Sequence, residues 1–591
     1  MTTKYSELLV GWLKELGYTH CFFVAGGNIM HLLDGVRREM VCIPTVHEVA
    51  AGIATEYFNE TEPQGRAFAL VTAGPGLTNI VTALAGAYLE SRELLVIGGQ
   101  VKASDLADGG IRQRGIQEVD GVALAAPVCV AAQRFETPAP RAEIERLIRL
   151  GREGRPGPVF LEFCLDVQGA PVDPAALGVA GRTAVAIDPV GADIASQLEA
   201  SSRPVLLIGG GVSRADAEAA LPDLRRLGVP VMTTWNGIDR IAADEDIWQG
   251  RPNTWGMRFA NVLLQQADVV VALGTRLGLQ QTGFNWQQFA PQAKLVQVEI
   301  DPDELAKGHP RVDVPVAADA GATLRLLARN TKPEPQWAKW REFCDQVREL
   351  LPLVEEVNAP GEGSIDPFEF TLALSLMADK DDLVIPCSSG GAFTVAMQTW
   401  MQKAGQRIVT DKGLASMGYG LSGAIGAAIA FPGQRTIHLE GDGGFAQNLQ
   451  EMATVRVNSL PIKTFLFAND GYASIRMTQR NYFDGHYLGC DTSSGLGSPD
   501  WPKLFESFGV PAITLGSDWA TSEPFLKLFT APGPAAFIVP IDPEQTYFPK
   551  ISSRVTDSGS MESNPLHMMT PDLSSELATK VLPHMTKEDR A

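Results

Sequence analysis

Three stretches of this chain repeat one rhythm: short runs rich in Val, Ile, Leu and Ala, separated by amphipathic stretches and Gly-rich turns. Runs too continuously apolar to alternate belong in sheets buried on both faces, so each stretch calls for a parallel sheet with helices on either side. The first carries THCFFVAG, MVCIPTV, FALVTAG, LLVIGGQ and PVFLEF; the second PVLLIGGGV, VPVMTTWNG, ADVVVALGTR and KLVQVEIDPDEL; the third DLVIPC, RIVTD, RTIHLEGDGG, IKTFLFAND and AAFIVPI. The expected fold class is α/β, with three doubly wound parallel-sheet domains at residues 1–180, 190–330 and 366–550. GRTAVAIDPVGADI reads as the linker after the first, and residues 330–365 as a helix plus a surface linker. Residues 551–591 are polar and irregular, and read as a disordered tail or as a lid over a site.

Composition narrows the function classes. The formal charge is −20, from 49 basic against 69 acidic residues. Such a surface repels nucleic acid and anionic lipid, so an anionic ligand needs a local metal or a helix N-terminus. Seven scattered cysteines, with no CxxC spacing, argue against a disulfide framework or a zinc ribbon and for a reducing, cytoplasmic setting. The first residues have helical spacing with acids among them, unlike a signal peptide, and no run is long and apolar enough to span a membrane. Small molecules are therefore the expected partners, with neither nucleic acid nor membrane.

The strongest chemical signal is HLEGDGGFAQNLQEMATV, read as strand, glycine turn and helix. Twenty-five residues (444 to 468) separate Gly443 from Asn469, which ends the next strand in FLFANDGYASI. Glycines let backbone N–H groups approach a diphosphate at a helix N-terminus. Asp442 then offers a carboxylate and Asn469 an amide oxygen to Mg²⁺, which takes few protein oxygens and completes its shell with phosphate and water. The bland alternative is an ordinary strand-to-helix turn whose Asp caps the helix.

GDG followed by Asn at this distance resembles the thiamine diphosphate-dependent enzymes, with Ala468–Asn469 where that family often has two asparagines. The resemblance covers nearly the whole chain as pyrimidine-binding, central and diphosphate-binding domains, and implies Asp442, Asn469 and the Gly471 carbonyl as metal ligands. It implies a catalytic Glu48 in PTVHEVAAGIATEYFN, matching the family's HE-x-x-A-x-x-A, as the acid that protonates the aminopyrimidine ring; alone, this Glu would read as a first-turn dipole partner. In KGLASMGYGLSGAIGAA it implies Met417 as the wedge under the folded coenzyme and the Ala415 carbonyl as acceptor from its amino group; the alternative is a core Met filling a gap. The implied coenzyme set also includes Pro75 and Asn79 of TAGPGLTN, Gly390, Gly441, Gly443, Gly444 and Tyr472.

FVAGGNIMHLLD, TAGPGLTNIVTALAGAYLES, VIGGQV and RGIQEVD are most similar to the acetohydroxyacid synthase branch. That likeness implies Gln117 near the reacting atoms and backbone amides at Gly26 and Gly27 facing developing oxyanions. His31 departs from the branch, which tends to have Pro there; it reads either as a core histidine or as a proton carrier near the attacked carbonyl. Residues 108–121 contain no histidine, where aldehyde-releasing decarboxylases carry a His pair, which favours C–C ligation. Ile116 and Thr478 stand where the branch has Phe and Trp, and GG-x-x-MHL-x-D resembles YerE-type carboligases, which transfer an acetyl unit to a ketone, including a nucleotide-linked keto-deoxysugar. The expected function is a carboligase that decarboxylates pyruvate or another 2-oxo acid and passes the acyl unit to an aldehyde or ketone. The alternatives are an acetolactate synthase, an aldehyde-releasing decarboxylase and a non-catalytic binding module. The central run resembles FAD-contacting segments, implying Gly209, Gly210, Gly211, Thr233, Thr234, Gly274 and Arg276 around a structural FAD. Because Glu48 and Asp442 lie in different domains, the family's pattern implies a homodimer at minimum and a homotetramer commonly.

Overall fold

The computed structural model describes residues 3–108, 110–178, 192–555 and 561–586. Most of the expected linker GRTAVAIDPVGADI lies outside these residues. Three parallel sheets form, as the three apolar rhythms require, and they fall into two compact units.

The first unit comprises residues 1–185, 381–393 and 407–540 and holds two six-stranded sheets. The N-terminal sheet is built from β1 (Tyr18–Phe23), β2 (Val41–Pro44), β3 (Arg66–Val71), β4 (Leu94–Gln100), β5 (Ala131–Phe135) and β6 (Pro158–Cys164), in the order β2-β1-β3-β4-β6-β5. The second unit (186–380, 394–406 and 541–591) carries β7 (Pro204–Ile208), β8 (Val231–Thr233), β9 (Val269–Leu273), β10 (Lys294–Glu299) and β11 (Val314–Ala317), in the order β8-β7-β9-β10-β11. Back in the first unit, β12 (Leu383–Pro386), β13 (Arg407–Ile408), β14 (Thr436–Gly441), β15 (Ile462–Ala468), β16 (Ala512–Thr514) and β17 (Ala535–Pro540) are ordered β13-β12-β14-β15-β17-β16. The two six-stranded sheets thus share one topology. Three strands were not legible as apolar runs: β5, whose AAQRF is mostly half-buried, β11, whose VPVA alternates half-buried with exposed positions, and the three-residue edge strand β16.

One apolar core joins the two sheets of the first unit. At its centre lie three helices: α1 (Glu48–Glu60), α2 (Pro75–Glu90) and α3 (Tyr419–Ala430). Their sequences are crowded with Ala and Gly because their backbones nearly touch. A Cβ on Gly52 of α1 would sit 2.4 Å from Ala83 of α2, and one on Gly426 of α3 would sit 2.1 Å from the Ala54 carbonyl of α1. Every residue from Tyr419 to Ala428 is buried, so α3 has no solvent face.

The described part of 551–591 is not a disordered tail. It docks on the second unit, where Leu566 and Val581 enter the core of the five-stranded sheet. Gln266 Nε2 donates to the Val581 carbonyl at 2.8 Å and Arg258 to that of Met569 at 3.0 Å. Its polar composition hid this docking, because the anchors are backbone carbonyls and a few scattered apolar side chains, Leu566, Val581, Leu582 and Met585.

Gly426→Ala tests the helix contact. A methyl group facing a backbone carbonyl cannot be relieved by a rotamer change, so a loss of about 1–3 kcal/mol is expected in urea unfolding. An unchanged midpoint would mean that α1 and α3 lie further apart.

Candidate active site

In each sheet the strand order reverses between the first and third strands, and the crevice at the carboxyl ends of such a pair is where open α/β sheets bind ligands. Here those ends carry the glycines. Gly26 after β1 lies so close to Thr72 after β3 that a Cβ would fall 2.4 Å from the Thr72 Cβ. Gly390 follows β12, and the Gly441–Asp442 turn follows β14.

Asp442 and Asn469 meet because of register. Gly441 pairs with Phe467 in the parallel β14–β15 ladder, so the residues just past both strand ends fall side by side. The Asp442 carboxylate accepts from the backbone N–H groups of Gly443 at 2.8 Å and of Asn469 and Gly471 at 3.2 Å. Burial raises it to about 6, against the pull of these donors. The inward side-chain atom of Asn469 lies 3.1 Å from both Asp442 Oδ1 and the Gly471 carbonyl. An amide nitrogen there would donate to both; an oxygen there makes three converging acceptors, which only a cation reconciles. Mg–O bonds of about 2.1 Å in an octahedron put neighbouring ligand oxygens about 3.0 Å apart, so the spacing fits Mg²⁺. Gly443 lies under the Tyr472 ring, where a Cβ would come within 2.4 Å, and Gly471 has φ 111°.

Arg476, unremarked in the sequence, braces this turn. Its buried guanidinium donates to the carbonyls of Asn469 at 3.1 Å and Asp470 at 2.8 Å and to the Asp491 carboxylate at 3.1 Å. Hydroxyl donors on Ser494 and Ser493, together with Arg476, hold Asp491 well below the usual carboxylate range. An Arg seven residues after the Asn carries no recognisable spacing, so only the fold could reveal it.

Glu48 opens α1 and is buried. The Asn79 side-chain amide on α2 donates to it at 2.9 Å, which gives Asn79 an orienting role and leaves the other carboxyl oxygen beside Gly76. The turn before it is held from the third sheet: Glu451 accepts from the N–H groups of Val46 at 3.1 Å and His47 at 2.9 Å.

Ala415 and Met417 precede α3. Ala415 has φ 55°, and Met417 is half-buried with its sulfur 3.7 Å from Gln447 Nε2. Within one chain these residues stand apart from Glu48. Helices α1 and α2 run side by side in the same direction, Glu48 beside Asn79 and Gly52 beside Ala83. The segment carrying Ala415 is tied to their far ends, through Glu90 and Arg92, while Tyr419 meets Glu56. At 1.5 Å per residue, Asn79 to Glu90 spans about 16 Å and Glu48 to Glu56 about 12 Å.

Family models described as the N-terminal TPP binding, central and C-terminal TPP binding domains of thiamine pyrophosphate enzymes match residues 3–124, 192–327 and 389–539. The chain is 28% identical over 559 residues to "Acetolactate synthase isozyme 1 large subunit" of Escherichia coli, covering 92% of this chain and 95% of the relative. It is 30% identical over 566 residues to "Probable acetolactate synthase large subunit" of Methanocaldococcus jannaschii, covering 92% of each. "Acetolactate synthase 1, chloroplastic" of Zea mays is 27% identical over 571 residues, covering 93% and 87%. The chain belongs to the thiamine pyrophosphate enzymes.

The remaining expected residues of this thiamine pyrophosphate enzyme occupy varied settings. Gln117 is exposed, with φ 65°, on a loop packed against the TAGPG turn; a Cβ on Gly74 would lie 2.5 Å from its carbonyl. Its neighbour Glu118 builds that loop, accepting from the N–H groups of Ala107, Arg114 and Gly115 at 2.5–2.9 Å. Burial pushes Glu118 up, but these donors outweigh it and leave its pKa lowered. A Cβ on Gly27 would meet nothing within 4 Å, leaving its amide room. His31 is half-buried with its ring against Gly169, where a Cβ would lie 2.8 Å from Nε2.

In the second unit the central glycines serve their own packing first. Gly209 and Gly211 lie against Gly274, where a Cβ on either would come within 3 Å of its backbone, and a Cβ on Gly210 would lie 3.1 Å from Asn236. Thr233 and Thr234 are buried at the end of β8, and the Arg276 carbonyl accepts from Lys307. These residues line the switch point between β7 and β9, and Thr233 Oγ1 lacks a hydrogen-bond partner. No described helix is long and apolar enough to cross a membrane.

Asp442→Ala should abolish divalent-cation binding while far-ultraviolet circular dichroism stays as in the wild type. Titration calorimetry with Mg²⁺ and inorganic diphosphate reads this; undiminished Mg²⁺ uptake would place the metal elsewhere.

Proposed function

We propose that this thiamine pyrophosphate enzyme is a carboligase of the acetolactate synthase type. It removes CO₂ from pyruvate or another 2-oxo acid and joins the remaining acyl unit to the carbonyl of a second 2-oxo acid. The observation that carries this is the meeting of the Asp442 carboxylate, the Asn469 side-chain amide and the Gly471 carbonyl at one point, in a chain aligned over nine-tenths of its length with acetolactate synthases. Asp442, Asn469 and the Gly471 carbonyl would hold Mg²⁺, and the glycine turn at Gly443 and Gly444, through the Gly444 N–H, would receive the diphosphate. Thiamine diphosphate, when bound, supplies a carbon nucleophile at thiazolium C2 and a sink for the electrons released with CO₂.

The chain's own residues then set the ring and its protons. Glu48, steered by Asn79, holds a proton against the pyrimidine nitrogen. Met417 would support the ring from below, and the Ala415 carbonyl would be the acceptor for its amino group. Gln117 and the amides of Gly26 and Gly27 face the oxygen that gains charge. His31 would serve as a proton carrier.

Since Glu48 and Met417 stand at opposite ends of the helix pair in one chain, a second copy completes each site, and a homodimer is the minimum active unit. Higher assembly to a tetramer and a structural FAD at the β7–β9 switch point belong to the same proposal. Seven free thiols suit a reducing, cytoplasmic setting.

A second reading rests on Ile116 and Thr478, which stand in place of two aromatics that would narrow an acceptor pocket: the acceptor is then an aldehyde or a larger ketone, such as a nucleotide-linked keto-deoxysugar. Pyruvate offered with 2-oxobutyrate, aldehydes and cyclic diketones, with products read by mass spectrometry, separates the two. Acetaldehyde as the sole product would overturn both.

Glu48→Gln should lower the rate about 10²–10⁴-fold, as removal of a general acid does. The shared site gives a sharper check. Glu48→Gln and Asp442→Ala chains, each inactive, should regain about a quarter of wild-type activity when dissociated together and reassembled, because one site of each mixed dimer is intact. No recovery would mean that each chain builds its own site.

A further inference from the structure

The segment 410–418 has little regular structure of its own, and its backbone is held almost wholly by side chains. Arg92 Nη2 donates to the Thr410 carbonyl at 2.7 Å. One oxygen of Glu90 accepts from the N–H groups of Lys412 at 2.7 Å and Gly413 at 2.5 Å. Asp411 accepts from the Ala415 N–H at 3.1 Å. Ser388 donates to the Ser416 carbonyl, and Asn448 to that of Gly418 at 2.9 Å. Glu90 ends α2 and Arg92 follows two residues later, in the N-terminal domain, whereas the segment they hold belongs to the C-terminal one. Arg92 is itself fixed by Glu56 at 2.8 Å, within a cluster where Tyr419 also reaches Glu56 at 3.4 Å. The geometry is close: Gly86 of α2 has no room for a Cβ, which would overlap the Tyr419 hydroxyl and lie 3.0 Å from Asp411.

We propose that Glu90 and Arg92 are positioning residues for the coenzyme's pyrimidine ring, acting through the 410–417 segment that carries Ala415 and Met417. This rests on the reading of Ala415 and Met417 as the ring's seat. Neither residue need touch the coenzyme. Their charge-assisted hydrogen bonds hold Thr410 before Asp411 and Lys412 and Gly413 after it, and Asp411 in turn accepts from the Ala415 N–H, which sets the left-handed turn there. In the dimer proposed above, α1 then serves two sites at once: Glu48 at its first turn in one, and Glu56 at its far end, behind Arg92, in the other.

The test compares two ligands and three variants in the full-length protein with Mg²⁺. Inorganic diphosphate reads only the glycine turn and the metal, whereas thiamine diphosphate also reads the ring seat. Glu90→Ala should weaken thiamine diphosphate about tenfold and leave inorganic diphosphate unchanged, with faster hydrogen exchange across 410–417. Glu90→Gln, which keeps an acceptor oxygen, should stay within about twofold of wild type. Arg92→Lys keeps the buried charge but cannot bridge Glu56 and Thr410. It should repeat the ring-selective loss and serves if Glu90→Ala does not fold. Equal weakening of both ligands, or unchanged thiamine diphosphate binding in Glu90→Ala and Arg92→Lys, would overturn the proposal. A wild-type protein that binds inorganic diphosphate but gains nothing from the thiamine moiety would instead overturn the ring seat itself.

Discussion

The close contact of α1 with α3 is the constraint on which the first unit depends. Both helices are buried almost throughout and crowded with Ala and Gly, so their backbones approach to the point where Gly426 faces a carbonyl of α1 with no space for a methyl. That approach fuses two sheets of identical topology into one core. It also leaves no slack: polar groups trapped at the seam must be satisfied there, and Glu451, Glu90 and Arg92 satisfy them by reaching across to backbone atoms of the other sheet. The same seam therefore fixes the turn before Glu48 and the segment before Met417.

The sheet topology places the chemistry. Each of the three reversal points opens a crevice at strand ends, and glycine occupies the positions where neighbouring loops nearly collide, Gly26 against Thr72 and Gly209 against Gly274. The C-terminal crevice differs by placing a carboxylate, an amide and a carbonyl around one point. The buried Asp442 carboxylate is held at that point by three backbone N–H groups.

Much of this was legible in the chain alone. Continuous Val/Ile/Leu runs dictate parallel sheets, and the interval from Asp442 to Asn469 holds a few short helical turns and one strand, so adjacent strand ends follow from it. Glu48 at a helix start among small residues was likewise readable. The half-buried β5 was missed because its side chains face a partly wet edge, and the docked C-terminal segment because it is anchored through its backbone.

Tertiary structure alone decided what side chains far apart in sequence do to one another. Nothing near Asn79 announces that its amide steers Glu48, and nothing near Glu451, Arg476, Glu90 or Arg92 announces a site. Their roles come from long-range contacts, which no local period encodes. The sequence determined which residues can carry the chemistry, since residue type and spacing fix charge, size and strand register. Only the fold decided that Glu48 and Met417 stand at opposite ends of one helix pair, because the direction in which α1, α2 and the segment before α3 meet is set by packing between distant parts of the chain.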